Sequence, residues 1–121
     1  MSVTPALTTS PAFGVGPGYR SELREDILAN WTRIDFLEMI ADNYLREPGT
    51  LATFEELCTH FPVIAHGVDL SIGSMIPLEP AYLQGIKRVS DLTRSPYYSE
   101  HLCMTGGPGQ DIGHLAPLSF T

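Results

Sequence analysis

The sequence predicts an α/β fold built on a parallel sheet, and three observations carry the prediction. Short apolar runs alternate with stretches whose apolar residues recur at helical spacing. The alternating unit recurs about every 25 to 35 residues, a connection length that suits crossover helices between parallel strands. The apolar runs also lack strict alternation of apolar and polar residues, as expected of strands covered on both faces.

The elements follow in chain order. Phe13-Gly14-Val15-Gly16 reads as a first short strand that opens into the turn GPGYR. Ser21 is a suitable N-cap, and Leu23, Ile27, Leu28 and Trp31 fall on one helical face. IDFLEMI, residues 34–40, has the composition and length of a second strand, with Glu38 in its second half. Leu51, Phe54, Leu57 and Phe61 repeat at helical spacing, and Pro62 stops that helix. Val63-Ile64-Ala65 is the third strand and ends in His66-Gly67. The loop SIGSMIPLEP leads to Pro80 at a first helical position, followed by Tyr82, Ile86, Val89 and Leu92 or Thr93. Pro96-Tyr97-Tyr98-Ser99 begins the fourth strand, with Glu100 and His101 at its end. The remaining residues, including GGPGQDIGH, read as a Gly-rich loop.

Composition narrows the functional classes. The chain has 121 residues, enough for one modest domain, with 43% apolar and 17% charged residues. Its formal net charge of −7 and scattered Lys and Arg argue against nucleic-acid binding through a basic surface. Cys58 and Cys103 form no CxxC pair and read as buried small hydrophobes in a reducing compartment. No apolar run is long enough to span a membrane, and the N-terminus lacks the plan of a secretory signal. Residues 1–12 are expected to be a flexible leader, and the protein to be cytoplasmic.

Four strands and three helices fill the chain to about residue 104, whereas an eight-stranded βα barrel takes about 250 residues. The count leaves two architectures: a small open α/β sheet, or the first half of a barrel. In either, the strands' C-terminal ends share one rim, where functional side chains collect. That rim would gather Glu38, His66, Glu100 and His101, with Asn43 and Asp69 in the adjoining loops. Two imidazoles with carboxylates nearby suit iron, zinc or manganese. Each residue also has a structural reading. His66 and His101 could be strand-end histidines bonded to backbone, Glu38 could pair with an arginine or cap a helix, and Asn43 and Asp69 could form turns or caps. His60 suits the C-terminal end of a helix, and His114 lies where the sequence does not fix its neighbours. The glycines of GVGPG and GGPGQDIG do not make a nucleotide-binding fingerprint.

The segments GVGPGYR, IDFLEMIADNYL, FPVIAHGVDLSIGS, YYSEHLCMT and DIGHLAPLSFT resemble the opening of the multinuclear non-haem iron-dependent oxidases of methanobactin and thiaglutamate biosynthesis, from about Phe13 to Thr121. The resemblance implies a TIM-type (β/α) barrel, represented by residues 13–121 as its N-terminal half with about four β/α units. It implies two or three iron ions at the C-terminal rim and dioxygen-dependent oxidation of a cysteine in a precursor peptide, with a small partner protein that helps hold the peptide. His66 of AHGVDLSIG and His101 of SEHL match histidine ligands; Glu38 and Asn43 match a family segment, and Glu100 is expected behind the ligands. Strands that would carry further ligands lie outside these residues, so the chain is expected to be inactive alone and to self-associate or pair with a complementing C-terminal half. Two alternatives stand beside this reading: a divalent-metal barrel isomerase or phosphodiesterase, and a non-catalytic half-barrel that binds a partner.

Overall fold

The computed structural model describes residues 14–46, 49–95 and 97–119. The expected leader, Phe13 of the first strand and Pro96 of the fourth lie outside the described residues.

Apolar spacing places the longer helices. In α3, Thr50–His60, the repeat buries Phe54 and Leu57 completely. Phe61 then turns to extended backbone, and Pro62, which has no amide hydrogen, follows it. Helix α4, Pro80–Thr93, starts with its proline in the first turn and buries Gly85, Ile86 and Val89. Helix α1, Arg24–Ala29, is shorter than expected and lies between 3₁₀ turns at Ser21–Leu23 and Trp31–Arg33. Ser21 does not occupy the cap position: Arg20 precedes the 3₁₀ turn and Leu23 precedes α1, and the Ser21 hydroxyl bonds Glu22 instead. Of the expected apolar face, Ile27 is buried, whereas Leu23 and Trp31 are 45% and 60% exposed. The 3₁₀ turns explain this, because they break the 3.6-residue period that would align the four side chains. A fourth helix, α2 at Asn43–Arg46, is a single turn after the second predicted strand.

Strands β1 (Leu37–Ile40), β2 (Val63–Gly67) and β3 (Tyr98–Glu100) form a parallel sheet in that order. The register pairs Ile40 with His66, His66 with Ser99, and Gly67 with Glu100. β1 is shorter than the run at 34–40, and β3 begins later than the run at 96–99. The predicted first strand is irregular. Its backbone runs along the outer edge of β1 through Asp35 N–H to Val15 O (3.0 Å), Glu38 N–H to Pro17 O (3.1 Å) and Tyr19 N–H to Glu38 O (2.7 Å). Among the described residues only Gly18 and Glu38 make a regular bridge there, in the parallel sense. Pro17 cannot donate, which interrupts a continuous ladder. Gly16 must be glycine, because a Cβ there would lie 1.9 Å from the Phe36 carbonyl oxygen.

The sheet is not covered on both faces by the described residues, contrary to expectation. Leu37, Met39, Val63 and Ala65 pack with Phe54, Leu57, Ile86 and Val89 into one core. The opposite face carries Glu38, Ile40, Ile64, His66 and Ser99, which are exposed or half-buried. Burial therefore alternates along β1 and β2, although the sequence does not alternate, because the helices pack on one side.

The Gly-rich tail is a hairpin and not a loop. β4 (Cys103–Gly107) and β5 (Gln110–Pro117) pair antiparallel around Pro108-Gly109, where Gly109 takes a φ of 73°. The hairpin is tied to the loop before α4 by Gly73 N–H to Cys103 O (2.9 Å), Thr105 N–H to Ser71 Oγ (2.8 Å) and Ser74 Oγ–H to Gly106 O (2.8 Å). No helix among the described residues is long and apolar enough to cross a membrane.

Candidate functional site

Parallel pairing brings the two strand-end histidines together. The His66 and His101 ring centroids lie 4.7 Å apart, with the planes tilted by 60°. Each ring is held by the other's strand. His66 Nδ1 lies 2.8 Å from Ser99 Oγ, on its register partner in β3. His101 Nδ1 lies 3.3 Å from Gly67 O, at the end of β2. A carbonyl only accepts, so Nδ1 of neutral His101 carries the hydrogen and Nε2 keeps the lone pair.

Two carboxylates brace these strand ends. Glu100 accepts the His101 amide at 2.8 Å with one oxygen and the Tyr98 hydroxyl at 3.0 Å with the other. Asp42, 2% exposed, accepts the Val68 amide at 2.9 Å and the Tyr82 hydroxyl at 2.8 Å. Burial, reinforced by the bond to Asp42, raises the Tyr82 hydroxyl well above the usual tyrosine range. Tyr98 is raised by burial and then by its bond to Glu100. Gly67 lies against this bracing. A Cβ there would lie 1.8 Å from the Tyr98 hydroxyl oxygen and 2.1 Å from Glu100 Oε2.

The other candidates are placed less centrally. Glu38 is exposed on the same sheet face as His66, but its register partner is Ile64, two residues earlier. That offset corresponds to about 8 Å between the Cα atoms of Glu38 and His66. Asn43 is exposed at the start of α2 and lines a 650 Å³ cleft with Arg20, Ile40, Tyr44 and Thr53. Asp69 is exposed and lines a 340 Å³ cleft with Val68, Thr105, Asp111 and His114. His60 ends α3 in an exposed position. Cys58 is half-buried, and burial, aided by Glu55, pushes its thiol up to about 11; burial also raises the Cys103 thiol. Among the described residues no group of three or more His, Cys, Asp or Glu side chains could hold a metal ion.

Asp42, Tyr82 and Tyr98 were missed as site residues by sequence reasoning. Asp42 had one legible signal: it follows the apolar Ile40-Ala41, at a strand end like those carrying the histidines.

Residues 14–121 match the model of the family described as RiPP precursor modification enzyme MbnB/TglH/ChrH. The chain is 36% identical over 108 residues to a UPF0276 protein of Acaryochloris marina, covering 89% of this chain and 39% of the relative. It is 35% identical over 111 residues to one from Pasteurella multocida, covering 89% and 36%. A Caulobacter vibrioides UPF0276 protein is 31% identical over 117 residues, covering 95% and 42%. The chain thus spans about two fifths of the length of these curated relatives.

Proposed function

The chain belongs to the MbnB/TglH/ChrH family of RiPP precursor modification enzymes, and from that premise we propose that His66 and His101 are two ligands of an iron centre that oxidises a cysteine of a ribosomally made precursor peptide with dioxygen. The observation that supports this most is the pair of imidazoles 4.7 Å apart at the ends of adjacent parallel strands. The donor chemistry fits in part. Nδ1 of His101 is engaged by a backbone carbonyl and Nδ1 of His66 by a serine hydroxyl, leaving each Nε2 as the candidate donor. Iron, when bound, supplies a redox-active Lewis acid that also takes a soft thiolate ligand.

In this reading Ser99 orients His66, Glu100 holds the backbone of His101, and Glu38 lies further down the same face. Asn43 and Asp69 line clefts on either side, where peptide could lie. We further propose that residues 13–121 are an arc of a (β/α) barrel whose half-open face is the interior. Neighbours in space follow chain order, and the helices pack on one face, as in such an arc. Further ligands would come from a complementing segment, and a small partner protein would help present the peptide.

The test incubates the chain with ferrous iron, a cysteine-containing peptide and air, with and without the remaining segment of a relative supplied separately. Mass spectrometry follows the peptide. Modification is expected only with the added segment, and is expected to vanish in His66→Ala and in His101→Ala. Modification that needs no iron, or that survives loss of both histidines, would overturn the proposal.

A further inference from the structure

We propose that Asp42 is a positioning residue that acts on His101 through the Gly67–Val68 peptide group. The inference deepens the metal-ligand reading above, although the bonding it invokes is present without metal.

One peptide group faces both residues. Its N–H, on Val68, donates to Asp42 Oδ2 at 2.9 Å, and its carbonyl, on Gly67, accepts from His101 Nδ1 at 3.3 Å. The peptide is trans, so the two bonds leave it in opposite directions. Holding the N–H fixes where the carbonyl points. The carbonyl in turn selects the His101 tautomer with hydrogen on Nδ1, leaving the Nε2 lone pair for a ligand. An acceptor bonded to the N–H also polarises the carbonyl and strengthens its bond to the ring.

The need for such a clamp follows from Gly67. Its position is too crowded for a Cβ, because the hydrogen-bonded Tyr98 and Glu100 side chains fill the space. Glycine solves the crowding but, with no side chain, restrains the peptide that follows it less than another residue would. Asp42 restores the restraint. Its burial is costly unless the carboxylate is fully bonded, and the Tyr82 hydroxyl occupies the oxygen that Val68 does not. Asp42 thereby links the end of β1 and α4 to a histidine beyond β3.

The test is nitrogen-15 NMR of the histidine rings in the metal-free protein, with melting temperature measured alongside. Wild-type His101 is expected mainly as the Nδ1–H tautomer. Asp42→Asn is expected to shift it to a mixture with Nε2–H. Tyr82→Phe removes a bond to the same carboxylate but leaves the one to Val68, so it is expected to lower the melting temperature and keep Nδ1–H. A merely structural Asp42 would change stability in both variants and the tautomer in neither. A folded Asp42→Asn with the wild-type tautomer overturns the proposal. If that variant does not fold, the wild-type protein decides: His101 found as Nε2–H, or a Val68 amide that exchanges as fast as open loop amides, overturns it. Zinc added together with the complementing segment proposed above separates the two readings. An Nδ1–H ring that zinc leaves unshifted supports the clamp and counts against the metal centre.

Discussion

His101 lies one residue beyond β3, so its own strand does not hold it in place. The Gly67 carbonyl orients its ring, and Glu100 holds its amide. Gly67→Ala would force a Cβ into the Tyr98–Glu100 pair. It is expected to lower stability by about 1–3 kcal/mol in chemical denaturation and to separate the two rings. The buried weak acids give an alkaline prediction. Cys58 rises from 9.0 to about 11 and Tyr44 from 10.0 to about 12, burial being the main cause for both. Folding favours their protonated forms, so their stabilising contribution is complete below the unfolded values and is lost as pH rises through the folded ones. Denaturation midpoints are therefore expected to fall as pH is raised from about 9 to about 12, with Cys58→Ala flattening the lower part of the fall. Both histidines were legible because each ends an apolar run, at equivalent places in a repeating unit. Asp42 was legible only as a residue at a strand end, because its partners lie 26 and 40 residues away and its burial depends on them.

At the scale of elements, α3 carries much of the core. Phe54 is fully buried and meets the Tyr44 ring edge-on at a centroid distance of 4.9 Å. Phe54→Ala is expected to cost about 3–5 kcal/mol by denaturant titration. Such helices were legible because a buried stripe imposes a period on the sequence. The β4–β5 hairpin was not. β5 is exposed along nearly its whole length, so no buried face imposes alternation, and glycines at 106, 107, 109 and 113 resemble a loop. The hairpin is held instead by serine hydroxyls from a loop some 30 residues earlier. Ser71→Ala removes the acceptor of the Thr105 amide, and that amide is expected to exchange faster in hydrogen-exchange NMR while amides of β1 and β2 stay protected.

At the scale of the whole molecule, the described residues form a sheet with one packed face and one half-open face. The half-open face holds His66, and exposed apolar side chains include Val15 at 80%, Met75 at 96% and Leu102 at 69%. Such surface favours association, so the 13.3 kDa chain is expected to sediment as a larger species that a complementing segment converts to a defined complex. The parallel sheet was legible from the alternation of apolar runs with helical stretches and from the connection lengths. That one face stays half-open was not, because apolar residues such as Ile40 and Ile64 occupy it too, and composition does not reveal which elements will cover a face. The central claim, that His66 and His101 together hold a metal ion, is tested most directly by anaerobic loading of the chain, assembled with the complementing segment proposed above, with ferrous iron, then removal of unbound iron and metal analysis of the folded complex. Iron bound at a reproducible ratio in the wild type, reduced in each single alanine variant and abolished in His66→Ala/His101→Ala, is the expected result. Iron retained equally by the double variant, or absent from a folded wild-type complex, would contradict the claim.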